Sequence, residues 1–236
     1  MNSLAEPAVP HRLLSRWFAL ALCLAVAILS SYQTYAFRPA PTEQEIARAE
    51  DAVYEAVVRN MLPHFDQDHK TLLVFDDRLV ADSFPPGDFT ACREASDLPL
   101  KVSDEPVTAD NISDKSNGPV VTPGSDVVQD YVAKRCIRGQ LSRTFHTNVP
   151  RNFLGDHVGT NERILPSPDH PKFAELFPVA PGLIGFSRVG LSKQMDEAIV
   201  YSSFYCGGLC ASGTRYYLKK VGTEWKVLSS RMLWVS

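Results

Sequence analysis

The sharpest chemical feature of this 236-residue chain is Cys206-Gly207-Gly208-Leu209-Cys210. Two thiols at that spacing can form a disulfide, run dithiol redox chemistry or contribute to a metal site. A tetrahedral zinc site takes four ligands, and two thiolates supply half of them. A dithiol redox pair has two intervening residues and usually opens a helix; here three residues intervene, between two strand-like segments. Gly207 and Gly208 let the backbone turn sharply between the sulfurs, so the spacing predicts a structural Cys206–Cys210 disulfide. Cys92 and Cys136 complete an even set. Four cysteines allow three pairings. The favoured pairing joins Cys92 to Cys136, with free, packed thiols as the alternative.

Other candidate groups are scattered. His64-Phe65-Asp66-Gln67-Asp68-His69 places four potential ligands after a helix, and reads as a solvated turn because no third histidine stands nearby. His146, Asp156, His157 and His170 fall in loops. The chain has no Gly-x-Ser-x-Gly elbow, no phosphate-binding glycine loop and no dinucleotide fingerprint, so no catalytic residue, cofactor or metal is assigned. Arg188, Lys193, Arg215 and Lys219, with Lys220, give the C-terminal sheet a basic side. That side is either an ordinary solvated face or a surface for an anionic partner or lipid headgroups. Trp225 and Trp234 read as core or sheet packing, with a ligand platform as the alternative. Asn111-Ile112-Ser113 has the form of a glycosylation sequon.

The chain that must position these groups begins with a targeting pattern. Trp17–Leu29 is a run of 13 uncharged, strongly apolar residues. Arg12 and Arg16 precede it, and no acid lies between Glu6 and Glu43. Residues 1–16 form a basic, cytoplasmic n-region, and residues 17–37 a signal-anchor or a cleaved signal peptide. A run this short falls below the roughly 20 residues of a bilayer span, which favours cleavage near Ala36. Extension to Phe37, with Tyr32 and Tyr35 as interfacial anchors, favours retention in the cell membrane. Both readings export the remainder by the positive-inside rule. Residues 1–62 carry 5 basic and 6 acidic side chains, residues 63–130 carry 5 and 14, and residues 131–236 carry 14 and 7. Neither extreme reaches the concentrated basic charge of a nucleic-acid binder.

After the spacer at 38–41, Thr42-Glu43-Gln44-Glu45 has the form of a capping box. Ile46, Ala49, Val53, Val57 and Met61 then form a helical stripe, predicting a helix over 42–62 ended by Pro63. Thr71–Phe75 reads as one buried strand. From Phe84 to Gly124 turn signals dominate, and the acidic stretch within 104–124 reads as mobile. A second helix, 126–138, is expected with Ser125 or Asp126 as its cap. Phe145–Val158 holds a candidate strand, and Phe173–Phe177 a short helix. Gly182–Ser236 then reads as four strands with short connections, an antiparallel meander. A phase change near Leu228–Ser230 predicts a β-bulge.

The C-terminal residues also resemble those of a group of uncharacterised bacterial exported proteins. The likeness is carried by Ser187-Arg188-Val189-Gly190, Ala198 to Tyr201, Cys206 to Cys210, Gly213, Tyr217-Leu218, Trp225-Lys226-Val227 and Trp234 to Ser236. Phe173 to Gly182 fits as well, and the likeness covers about a quarter of the chain. It implies an exported fold and names no catalytic residue. The helix-first, sheet-last order is similar, at fold level only, to the cone-shaped nuclear-transport-factor-like proteins.

The expectation is therefore an α+β domain over 42–236: an N-terminal membrane segment, then helices packed on a C-terminal four-stranded antiparallel meander. The expected function is a non-catalytic binding or accessory module of the cell envelope, with an envelope protein or an anionic group as partner. The alternative is a small-molecule enzyme with its pocket between the two helices and the sheet.

Overall fold

The computed structural model describes residues 40–65, 71–80, 122–157 and 168–236. The predicted segment 17–37, Cys92, His69, the Asn111 sequon and residues 104–121 lie outside them. Helix α1, Glu43–Phe65, opens on the predicted capping box. The Glu45 carboxylate accepts from the Thr42 N–H and hydroxyl, each at 2.8 Å, and Thr42 Oγ1 accepts from the Glu45 N–H at 3.3 Å. Two orphan donors of the first turn are thereby satisfied. The helix runs past its expected end at residue 62. Pro63 sits in the last turn, where its missing N–H removes one bond and little helix follows.

The sheet corrects the expected architecture. It is mixed and has seven strands: β1 Leu73–Phe75, β2 Arg151–Phe153, β3 Leu183–Phe186, β4 Gly190–Leu191, β5 Glu197–Gly207, β6 Cys210–Val221 and β7 Glu224–Val235. The order is β2-β1-β3-β5-β6-β7, with β4 also on β5. β1 runs parallel to both β2 and β3, and every other pair is antiparallel. The antiparallel run of the C-terminus is present, but Ser187–Val189 breaks its first strand into β3 and β4. The sheet also continues beyond that run through two three-residue strands, too short to leave a readable period. No helix among the described residues is long and apolar enough to cross a membrane.

Alternation along β5 and β6 decides what covers each face. Ala198, Val200, Tyr216 and Leu218 join Val53, Val57 and Met61 of α1 in one core, with Phe75, Phe145 and Phe186. Ile199, Tyr201 and Tyr217 point the other way, onto Val127 and Tyr131 of α2. On that second face Val74 of β1 meets Phe173 and Phe177, in and after the short α3, Pro171–Leu176. The two longer helices thus lie on opposite faces of the sheet.

Helix α2 spans Ser125–Lys134, shorter than the expected 126–138, and its N-cap is Gly124. Its acids do other work. Asp126 accepts from the Lys193 N–H at 2.9 Å, and Asp130 from the Leu191 N–H at 2.8 Å. These amides lie in and after β4, whose other edge is paired with β5. Asp126 and Asp130, one helical turn apart, therefore cover a sheet edge. Gly124 N–H is taken by Glu197 instead, at 2.8 Å. The predicted bulge is present in β7: the register shifts where Leu218 faces Val227 and Tyr217 faces Ser229, leaving Leu228 as the extra residue.

Candidate functional site

Cys206 and Cys210 are disulfide-bonded across the tip of the β5–β6 hairpin, with Cα atoms 5.1 Å apart. Gly207 has φ +140°, which a residue with a side chain rarely adopts. The Asp169 carboxylate lies against this backbone: a Cβ on Gly208 would stand 3.4 Å from its Oδ2. Both ladder ends behind the tip are held. Tyr205 pairs with Leu183 and Ala211, and the Ser236 N–H donates to the Ala211 carbonyl at 2.9 Å. Leu209, at the apex, is 92% exposed. Val235 and Met232 are 72% and 60% exposed, and pair with Ser212 and Thr214 of β6, next to the tip. Cys136 is also disulfide-bonded; its expected partner, Cys92, is outside the described residues.

The four basic residues expected to form a binding side do not share a face. Arg188 points toward α1, where its Nη1 is 2.8 Å from Glu50 Oε2. Glu50 is 6% exposed; burial raises its pKa, and Arg188 works against that rise. Arg215 is buried on the opposite face, its guanidinium 5.6 Å from the Tyr131 ring centroid. Lys219, on Arg215's side of the sheet, pairs with Glu197 at 3.4 Å. Lys193 has an exposed side chain in the turn after β4.

Ser187-Arg188-Val189-Gly190 is a structural junction. The Ser187 hydroxyl accepts from the Tyr201 N–H at 3.0 Å, and its carbonyl accepts from the Tyr54 hydroxyl at 3.0 Å. Val189 is fully buried. Gly190 lies against α2: a Cβ there would stand 2.5 Å from Tyr131 Cα.

A second polar cluster sits past the carboxyl ends of parallel strands β1 and β2. Arg143 Nη2 pairs with Asp77 at 2.9 Å and Nη1 with Asp156 at 2.5 Å, while its guanidinium covers the Phe153 ring at 4.9 Å. Hydrogen bonding to Asp156, and then to Asp77, raises the Arg143 pKa further. An arginine held between two carboxylates is a clamp joining β1, β2 and the 142–149 loop. Next to this clamp Thr144 Oγ1 donates to Asp51 Oδ2, and Glu55 accepts from the His146 N–H at 2.6 Å.

The described histidines are dispersed. His64 and His146 are exposed. His157 lies edge-on to Phe177, and His170 caps α3 by accepting from the Lys172 N–H at 3.2 Å. Among the described residues no group of three or more His, Cys, Asp or Glu is placed to hold a metal ion.

Compared with known proteins, the chain matches no family model, no curated protein and no solved structure. Its fold and surface are therefore the basis for any functional reading. Sequence reasoning missed Leu209 as a surface feature and Arg143 as a clamp. The signal for Leu209 was present: one large apolar side chain inside a glycine-rich, cysteine-bounded turn has no core to enter. Arg143 carried no comparable signal, because Asp77 and Asp156 reach it only through tertiary contact.

Proposed function

We propose that this chain is an exported, non-catalytic binding or accessory module of the cell envelope, directed there by residues 17–37. The hairpin tip carrying Leu209 is its contact point. One observation carries the reading: a large apolar side chain, 92% exposed, stands on a disulfide-closed turn. Preorganised apolar anchors of this kind lose little freedom on binding. Leu209 at the apex, with Val235 exposed on the neighbouring strand near the same end of the hairpin, favours an interaction surface over an ordinary solvated corner. The disulfides at Cys206–Cys210 and at Cys136 agree with an oxidising compartment.

The partner class is a protein. A large apolar anchor on a preorganised turn suits a pocket on an envelope protein.

A photo-cross-linking amino acid at position 208, in cells expressing the full chain, tests this reading. A discrete protein adduct is expected at 208, absent at 222 in the opposite hairpin and lost when Leu209→Asp is added. Equal labelling at both positions, lipid-only labelling, or an adduct indifferent to Leu209→Asp would refute it. Cell fractionation with N-terminal sequencing tests export separately: a cytoplasmic chain with Met1 intact and both disulfides reduced would overturn it.

A further inference from the structure

We propose that the Cys206–Cys210 bond is a thiol–disulfide exchange site, opened by a dithiol protein while the domain stays folded. Three observations converge on it. Cys210 is exposed and Cys206 half-buried, so one sulfur is presented to an incoming nucleophile. Asp169 packs on the Gly207–Gly208 backbone, leaving Leu209 and Cys210 as the open side of the turn. The bond also lies at the end of the hairpin, beyond the register shift that separates the last pair, Gly207–Cys210, from the ladder behind it. Behind it Tyr205 is held by β3 and β6, and Ala211 by β5 and the C-terminal Ser236. A ring of five residues is near the bottom of the loop-closure scale, since the constraint on the unfolded chain grows with loop length. Opening it therefore releases the turn and leaves the ladder from Tyr205–Ala211 to Glu197–Lys219 intact.

The chemistry balances with a dithiol as co-reactant. Its first thiolate attacks the Cys210 sulfur in line with the S–S bond, and Cys206 departs as a thiolate and takes up a proton. The second thiolate of the dithiol then attacks its own neighbour in the mixed disulfide. Cys210 leaves as the second thiol, and the partner retains the new disulfide. Two electrons and two protons pass to the hairpin, and no other oxidant or reductant is consumed. The product is a five-residue loop in which Leu209 is no longer held by a covalent tie.

The test uses the full-length oxidised chain. Under limiting dithiothreitol, quenched by alkylation and mapped by mass spectrometry, Cys206 and Cys210 should label at least tenfold faster than Cys136. Far-ultraviolet circular dichroism should stay unchanged over the same interval. A thioredoxin with its second active-site cysteine replaced by serine should be trapped on Cys210. Labelling of Cys136 first or at the same rate, loss of circular dichroism in step with labelling, or an adduct on Cys206 would each overturn the proposal. Cys206→Ser/Cys210→Ser in the same assay controls for folding, because it should keep the wild-type spectrum without any exchange at the tip.

Discussion

Arg188 Nη1 lies 2.8 Å from Glu50 Oε2, tying the β3–β4 junction to α1. The carboxylate is almost wholly buried and the arginine is 41% exposed, so removing the arginine strands a charge with little access to water. Arg188→Ala should destabilise the domain by about 1–3 kcal/mol at pH 7, below the usual loss for a fully buried pair because water reaches the arginine. The pH dependence has a definite sign. Burial holds the folded pKa of Glu50 above its value of 4.5 in the unfolded chain, so between those values the folded state binds more protons. Stability tied to this group is fully present below pH 4.5 and falls as pH rises through the folded pKa. Without Arg188 that pKa rises further and the loss grows. Urea unfolding should therefore give a larger penalty for Arg188→Ala at pH 7 than at pH 4. Equal penalties would mean that Glu50 is not the partner that matters.

Gly190 tests how tightly α2 is set on the sheet. A methyl group there would stand 2.5 Å from Tyr131 Cα and 2.6 Å from Tyr131 N, both backbone atoms. Neither can step aside without lifting the helix from β4 and from the amides that Asp126 and Asp130 cover. Gly190→Ala is expected to cost about 2–4 kcal/mol by overpacking. Gly222 is the control. It has φ +64°, and a methyl group added there would meet nothing within 4 Å, so Gly222→Asn, which tolerates that backbone, should cost less than about 1 kcal/mol. Comparable losses at the two sites would show that the α2–β4 contact is loose.

These contacts explain how far the sequence could be read. The Thr42–Glu45 box and the Leu228 bulge were legible because each depends on residues close together in the chain. The Cys206–Cys210 bond was legible for the same reason. The mixed sheet was not, since β1 and β2 are three residues long and find partners far away in sequence. Asp126 looked like a helix cap because local rules place an acid there; the Lys193 amide, just after β4, took it instead. The basic side dissolved for a related reason. Arg188 and Arg215 lie on opposite faces, and each has a partner, Glu50 or Tyr131, that no spacing rule connects to it.

Trp234 packs over a glycine and not into the central core. Its indole N–H donates to the Tyr201 hydroxyl at 3.1 Å, and the ring occupies the space where a Gly213 side chain would be, with Cε2 2.6 Å from that Cβ position. Because the ring is only half-buried, Trp234→Ala should lower stability by about 1–3 kcal/mol, below the range for a fully buried tryptophan. Gly213→Val should displace the ring and produce a loss of the same order. The double variant Gly213→Val/Trp234→Ala should lose clearly less than the sum of the two, since the valine fills space the indole has left. Chemical unfolding of all three measures the coupling, and strict additivity would reject the packing described.

Removal of the hairpin disulfide separates a local staple from a global one. The chain-entropy relation gives about 2 kcal/mol for a five-residue loop, and Tyr205 and Ala211 are held by neighbouring strands whether or not the bond is present. Cys206→Ser/Cys210→Ser should therefore unfold cooperatively with no more than about 2 kcal/mol of lost stability, and with the wild-type denaturant slope, since the surface exposed on unfolding is unchanged. Hydrogen exchange should quicken at Gly207–Cys210 and stay protected at Tyr216–Leu218, in the middle of β6. Loss of protection at Tyr216–Leu218, or a shallower slope, would mean that the bond supports the whole β5–β6 ladder and that the tip cannot open independently of the fold.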